Sequence, residues 1–262
     1  MSQPVVLNVS SARVVAARKL TERAGRRAAG LFLVEGPNAV REALAAGAVR
    51  ELFCTPAQAY EGVSYAGPIH LVDDRAAAAL SETVHPQGVV AVCALADVPP
   101  EVALARRPQL AVLLAEVSDP GNAGTVLRTA DAAGAGLVAF GGGSVDPYNG
   151  KVVRSAAGSH FHVDLVCDVP ADQVIHAARA AGLRVLAATG DGSAGLDDED
   201  AAGRLAAPTL WVLGNEARGL PPELASRCDD RVRIPIHGRA ESLNLAAAAA
   251  VVLYTSARAQ RR

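Results

Sequence analysis

Five consecutive alanines, residues 246–250, run into Val251-Val252-Leu253 behind the segment Ile234-Pro235-Ile236-His237-Gly238-Arg239-Ala240-Glu241-Ser242-Leu243-Asn244-Leu245. A helix with side chains this small must approach other backbone closely, because it has little bulk to fill a looser contact. The pattern predicts a strand over 231–236, a Pro/Gly turn, and a final helix over 242–260. The N-terminal end of that helix offers free N–H groups and the polar pair Ser242 and Asn244 to a ligand. Half of the residues are hydrophobic and only 3% are aromatic, so the core is built from Ala, Val and Leu. Such a core suits helices on a parallel sheet, whose buried strands read as unbroken apolar runs.

The 262 residues allow one large domain or two of ordinary size. Residues 1–8 read as a short extended arm and 11–24 as a basic helix. Strands are expected at 31–34, 51–54, 69–72 and 88–94, and helices at 38–46, after Glu35-Gly36-Pro37, and at 73–80. Pro99-Pro100 and Arg106-Arg107-Pro108 mark a linker. The expected division is a smaller α/β domain over 1–105 and a second domain over 106–262. The second opens on an aliphatic strand, 110–117, then Ser118-Asp119-Pro120-Gly121-Asn122 and a helix to Ala133 with Asn122 as its N-cap. Strands follow at 137–140, 184–189, 209–213 and 231–236, with a helix at 172–181. Alternating strands and helices imply a doubly wound parallel α/β sheet, and ligands of such sheets sit beyond the carboxyl ends of the strands.

The net charge of −2 makes no global case for nucleic acid or membrane. Locally, Arg13, Arg18, Lys19, Arg23, Arg26 and Arg27 face a single acid, Glu22, which is a candidate RNA-binding stripe or an ordinary solvated helix face. Cys54, Cys93, Cys167 and Cys228 lie far apart, so neither a zinc site nor a disulfide framework is expected, and no metal is called for. The N-terminus lacks an apolar signal region, and the run at 246–253 is too short to span a bilayer. A cytoplasmic protein without a membrane segment is the expectation.

Three polar motifs fall behind predicted strands. The first is Asp119-Pro120-Gly121-Asn122-Ala123-Gly124-Thr125-Val126-Leu127-Arg128-Thr129-Ala130. An arginine among Ala, Val and Leu is suited to grip a phosphate or carboxylate, or else forms a structural ion pair. The second, Leu213-Gly214-Asn215-Glu216-Ala217-Arg218-Gly219-Leu220-Pro221, is by itself compatible with an ordinary strand-to-helix loop. The third is the 234–245 segment. The loop 146–158 adds Lys151 and Arg154, and alternatively reads as a surface turn with a short helix.

In this order the motifs resemble the SpoU/TrmH family of S-adenosylmethionine-dependent RNA ribose 2′-O-methyltransferases, over roughly residues 110–260. Phe32-Leu33-Val34-Glu35-Gly36 and the helix behind it are similar to the accessory substrate-binding domain of many members, which is like a kink-turn-binding ribosomal protein. The resemblance implies a deep C-terminal trefoil knot in the catalytic domain and a homodimer with the site near the subunit interface. It also implies catalytic roles for Asn122, Arg128, Glu216, Ser242 and Asn244. S-adenosylmethionine would be held by Thr189, Gly190, Leu213, Gly214, Asn215, Glu216, Gly219, Ile234, Ile236, Ser242, Leu243 and Asn244. The RNA, 23S ribosomal RNA, would meet the basic stripe with Lys151 and Arg154. The alternatives are a transfer RNA 2′-O-methyltransferase and a non-catalytic RNA-binding module. A nucleotide-binding oxidoreductase is disfavoured, since no Gly-x-Gly-x-x-Gly follows the first strand of either half.

Overall fold

Alternate residues of Leu31–Glu35 are buried, and this strand starts a small sheet that the first part of the chain builds around itself. In order come α1 (Ala12–Arg18), a 3₁₀ turn (Lys19–Thr21), α2 (Arg23–Ala29), β1 (Leu31–Glu35), α3 (Pro37–Ala45), β2 (Val49–Cys54), β3 (Ile69–Leu71), α4 (Asp74–Ala79) and β4 (Val89–Ala94). The sheet runs β1-β4-β2-β3, with β4 antiparallel to both neighbours and β3 parallel to β2. This computed structural model describes residues 5–58 and 65–262. Of the arm expected over 1–8, the first four residues lie outside the described residues; Leu7 pairs with Val72 as a parallel bridge.

The basic segment is not one helix. Thr21 and Glu22 break it, and Arg26 closes the break by donating Nη1–H to the carbonyls of Leu20 (2.9 Å) and Thr21 (2.8 Å). Arg26 is 3% exposed. It therefore serves as an internal strut and leaves the candidate RNA-binding set.

The second unit contains α5 (Pro100–Ala105), β5 (Leu110–Leu114), α6 (Pro120–Ala133), β6 (Leu137–Gly141), then, beyond an excursion, β7 (Asp164–Val169), α8 (Ala171–Ala180), β8 (Arg184–Ala188), β9 (Ala194–Gly195), α9 (Leu196–Ala201), β10 (Thr209–Leu213), α10 (Pro222–Ala225), β11 (Asp230–Arg233) and α11 (Leu245–Ala259). Its sheet of seven strands has the order β7-β6-β5-β10-β8-β11-β9, and every pair is parallel. The period of two along the strands divides the core. Ala111, Leu113, Leu210 and Val212 meet Leu104 of α5 and Val174, Ile175 and Ala178 of α8 on one face. On the other, Trp211 donates its indole N–H to Ser256 Oγ of α11 at 2.9 Å, with both residues fully buried. The alanine run brings α11 against α6, as side chains of that size require.

The units are Met1–Ala96 with Tyr148–Phe161, and Asp97–Pro147 with His162–Arg262. Along the chain the first division falls at 96/97, where the sequence suggested 105/106. Residues 100–105 form α5, which packs on α8 and β7. The excursion carries α7 (Gly150–Ala156) into the first unit, where the Phe32 and Tyr148 rings sit 4.7 Å apart and Tyr148 Oη accepts from Ala96 N. Strand β11 stops at Arg233, short of the expected 236, since Pro235 cannot donate to a ladder.

Replacing Ser256 by Ala strands the indole N–H of Trp211 in an apolar layer. The expected cost is about 1–3 kcal/mol in urea unfolding. A loss below about 0.5 kcal/mol, the scatter of neutral surface changes, would show that the bond contributes nothing.

Candidate active site

Strands β5 and β10 lie side by side, and the chain leaves them in opposite directions, β5 through α6 to β6 and β10 through α10 to β11. This is the switch point of the sheet, where diverging loops leave a crevice beyond the carboxyl ends. The first and second motifs are those two loops.

Asp119, not Asn122, caps α6. Its Oδ1 accepts from Asn122 N at 2.7 Å, and Pro120 occupies the first helical position. The Asn122 side chain is thereby left for other work. Its Nδ2 donates to Glu216 Oε1 (3.2 Å), and its Oδ1 accepts from Asn244 Nδ2 (3.0 Å). Asn244 in turn caps α11, accepting from Ala246 N at 2.9 Å. Glu216 also accepts from Ser118 N and Oγ, each 3.1 Å, and from Asp119 N at 3.0 Å. One carboxylate thus ties the first motif to the second, and Asn122 extends the tie to the third. Ser118 and Asp119 are members of this hydrogen-bonded group that sequence reasoning passed over; their signal was a capping residue before Pro120, three residues upstream of Asn122.

Burial alone would raise the Glu216 carboxyl. The hydrogen bonds from its own backbone N–H, from Ser118 and Asp119, and from Asn122 outweigh that and hold its pKa below the ordinary glutamate value.

The second-motif loop closes on itself. Asn215 and Gly219 exchange backbone bonds of 2.9 and 2.8 Å, and Asn215 Oδ1 accepts from Ala217 N and Arg218 N while its Nδ2 donates to Glu116 O at 2.8 Å. The Asn215 side chain is therefore consumed in building the loop, not presented to a donor. A Cβ on Gly214 would lie 2.4 Å from the carbonyl of Gly219, so this strand end admits only glycine. Thr189 stands at the carboxyl end of the adjacent β8, with its Oγ1 buried and lacking a hydrogen-bond partner among the described residues. Gly190 next to it is exposed, Leu213 is buried and Ile234 half-buried. Ile236 and Leu243 are apolar yet each 39% exposed. An orphaned hydroxyl, a glycine-only strand end and uncovered aliphatic side chains fit a nucleoside-type ligand with an apolar flank.

Arg128 is exposed on α6 and makes no hydrogen bond or ion pair among the described residues, which removes the structural ion pair as its explanation. Ser242 is likewise exposed and stays outside the hydrogen-bonded group. In the first unit, Arg13 lies 3.3 Å from Glu51, while exposed Arg18 and Lys19 have no side-chain partner among the described residues. Arg23, Arg27 and Lys151 are exposed as well. Arg154 is not available: its Nη1 donates to Glu35 Oε1 at 2.5 Å and lies 3.7 Å from Glu82, because α7 packs against β1. Among the described residues no cluster of His, Cys, Asp or Glu could hold a metal ion, and none of their helices is long and apolar enough to cross a membrane.

The pattern of the SpoU rRNA Methylase family matches residues 109–254, and that of an MRM3-like substrate binding domain matches 11–91. The 23S rRNA (guanosine(2553)-2′-O)-methyltransferase RlmP of Bacillus subtilis (strain 168) is 34% identical over 244 residues, covering 90% of this chain and 92% of that one. The crystal structure of an AdoMet-bound rRNA methyltransferase from Sinorhizobium meliloti matches with a TM-score of 0.83 at 32% identity, over 97% of this chain and 98% of that one. The SpoU methyltransferase AviRb from Streptomyces viridochromogenes, in complex with AdoMet, matches at 0.82 and 31% identity, over 96% and 98%.

The depressed carboxyl of Glu216 carries a pH signature. Its folded-state pKa lies below the unfolded value of about 4.3, so the ionised group adds stability above that value and loses it as pH falls through the folded one. The gap in urea midpoint between the wild type and Glu216→Gln is expected to be widest near neutrality and to narrow below about pH 4. An unchanged gap down to about pH 3 would contradict the assignment.

Proposed function

The chain belongs to the SpoU rRNA methylase family, and we propose that it transfers the methyl group of S-adenosylmethionine to a ribose 2′-hydroxyl of 23S ribosomal RNA. The observation that carries this is the Glu216–Asn122–Asn244 chain of hydrogen bonds. It gathers three separated motifs at the switch point, and Arg128 has no side-chain partner among the described residues. The relatives support the substrate, since RlmP is named for a 23S ribosomal RNA guanosine.

Thr189, Gly190, Leu213, Gly214, Ile234, Ile236 and Leu243 would hold the donor, which supplies an electrophilic methyl group on a sulfonium. The rest of the work falls to side chains of this chain. A ribose hydroxyl must lose its proton as it attacks. A guanidinium is always charged in proteins, so Arg128 makes an awkward base. It serves by gripping the neighbouring RNA phosphate and stabilising the oxygen as negative charge develops there. The proton leaves to that phosphate or to water. Asn122 and Ser242 orient the ribose, and Glu216 with Asn244 keeps the loops in register.

The enzyme works as a homodimer with the site near the subunit interface. Support comes from Val251 and Tyr254, apolar residues three positions apart on α11 that are 39% and 54% exposed. The six-residue step from Asn122 to Arg128 also turns about 240° around the helix, at about 100° per residue, so Arg128 leaves on a different side from Asn122 and can complete a partner's site. The catalytic part, assigned to 106–262, carries a deep trefoil knot; in favour is Gly192, where a Cβ would lie 2.6 Å from Arg233 N, so tightly does that loop run against β11. The first unit, taken in the sequence as 1–105 and including Lys151 of the 148–161 segment, binds the RNA, with Arg13, Arg18, Lys19, Arg23, Arg27 and Lys151 as phosphate contacts. The cytoplasm, where ribosomal RNA is modified, is its place of action.

Arg128→Ala is expected to abolish methyl transfer while S-adenosylmethionine still binds in a calorimetric titration; full turnover would remove the guanidinium from the mechanism. Arg18→Ala with Lys19→Ala should weaken RNA binding and lower the slope of log K against log salt by about 1 for each phosphate no longer neutralised. An unchanged slope assigns RNA binding elsewhere. If the wild type binds RNA but neither binds the donor nor methylates, a non-catalytic module is the correct reading, and methylation of transfer RNA in preference to 23S transcripts moves the substrate.

A further inference from the structure

The first unit contains a recess of about 310 Å³ that the chemistry above does not use. Glu35, Asn38, Ser81, His85, Gln87 and Arg154 supply its polar lining. Its floor is charged and internally satisfied. Ser81 Oγ donates to Glu35 Oε2, Arg154 donates to Glu35 Oε1, and Glu82 lies 3.7 Å from Arg154. Two carboxylates against one guanidinium leave an anionic balance, which repels phosphate.

The rim is neutral and uncommitted. The side chains of Asn38, His85 and Gln87 make no hydrogen bond or ion pair with any described residue. Helix α3 opens beside them on Gly36, with no side chain capping its first N–H groups. Each carboxylate oxygen of Glu35 keeps acceptor capacity beyond the bond it already makes. A flat, uncharged ring with donors and acceptors along its edge meets all of these demands. Amide side chains read such edges two bonds at a time, and a carboxylate accepts from an exocyclic amino group. Unpaired RNA bases are the ones that can be splayed into a protein recess.

We infer that this recess binds one unpaired nucleobase of the substrate RNA, a base carrying an exocyclic amino group, read by Asn38, Gln87 and Glu35. The inference rests on the reading of the substrate as RNA, and it gives the first unit a means of selecting sequence beyond counting phosphates.

The test uses the full-length enzyme and the shortest 23S ribosomal RNA transcript that the wild type methylates, together with a set in which each unpaired nucleotide in turn is made abasic. One abasic position, an adenine, guanine or cytosine, should weaken wild-type binding about tenfold, the loss of one or two good hydrogen bonds. Asn38→Ala with Gln87→Ala should bind the intact transcript about tenfold more weakly and lose nothing further at that position. The salt slope and the affinity for S-adenosylmethionine should stay as in the wild type. His85→Ala, at an exposed rim position, is an independent variant expected to shift the same position. The inference is overturned if every abasic transcript weakens wild type and double variant alike, or if the double variant binds as the wild type does. It fails in its choice of base if the sensitive position is uracil. A wild type that methylates no transcript at all would instead sink the substrate reading itself, a result distinct from either.

Discussion

The hydrogen-bonded group beyond the carboxyl ends of β5 and β10 depends on a single carboxylate, which accepts four hydrogen bonds from Ser118, Asp119 and Asn122. Glu216 takes the N–H groups of Ser118 and Asp119, the Ser118 hydroxyl and the Asn122 amide. The donors sit in a loop nearly 100 residues earlier in the chain. Ordering two loops that far apart costs conformational entropy, and the backbone N–H groups of Ser118 and Asp119 need an acceptor. The two requirements answer each other. The loop supplies the donors that keep Glu216 ionised, and Glu216 keeps the loop from wandering.

The sheet makes this economy possible. Since β5 and β10 are adjacent and parallel, their carboxyl ends deliver both loops to the same edge in register, Leu114 opposite Leu213. Asp119 then takes over the capping of α6, so Asn122 is free to bridge Glu216 and Asn244. A change of side chain at the capping position therefore reaches Glu216 and Asn244 through Asn122.

The sequence was most legible where physics is local. The run at 209–213 became β10 to the residue, and the aliphatic run at 110 became β5, because buried parallel strands have no polar alternation to blur. The order of the three motifs sufficed for the family. Less legible were features set by distant partners. The run from 11 to 24 carried a helical charge pattern, yet Arg26 turned inward to satisfy two carbonyls that the chain itself had orphaned. Arg154 read as a surface cation, and only the packing of α7 on β1 revealed Glu35 as its partner. The strand expected to 236 ended at 233 because its neighbour β9 is two residues long and Pro235 cannot donate. In the site, Asn122, Glu216 and Asn244 converge, whereas Asn215 serves its own loop and Ser242 stands apart.

The excursion of Tyr148–Phe161 into the first unit has a bearing on how such a protein can be recombined. The covalent path passes between the units at 96/97, 147/148 and 161/162, so no single scission separates them. With three seams, exchanging the first unit for another would require transplanting α7 and Tyr148 along with it.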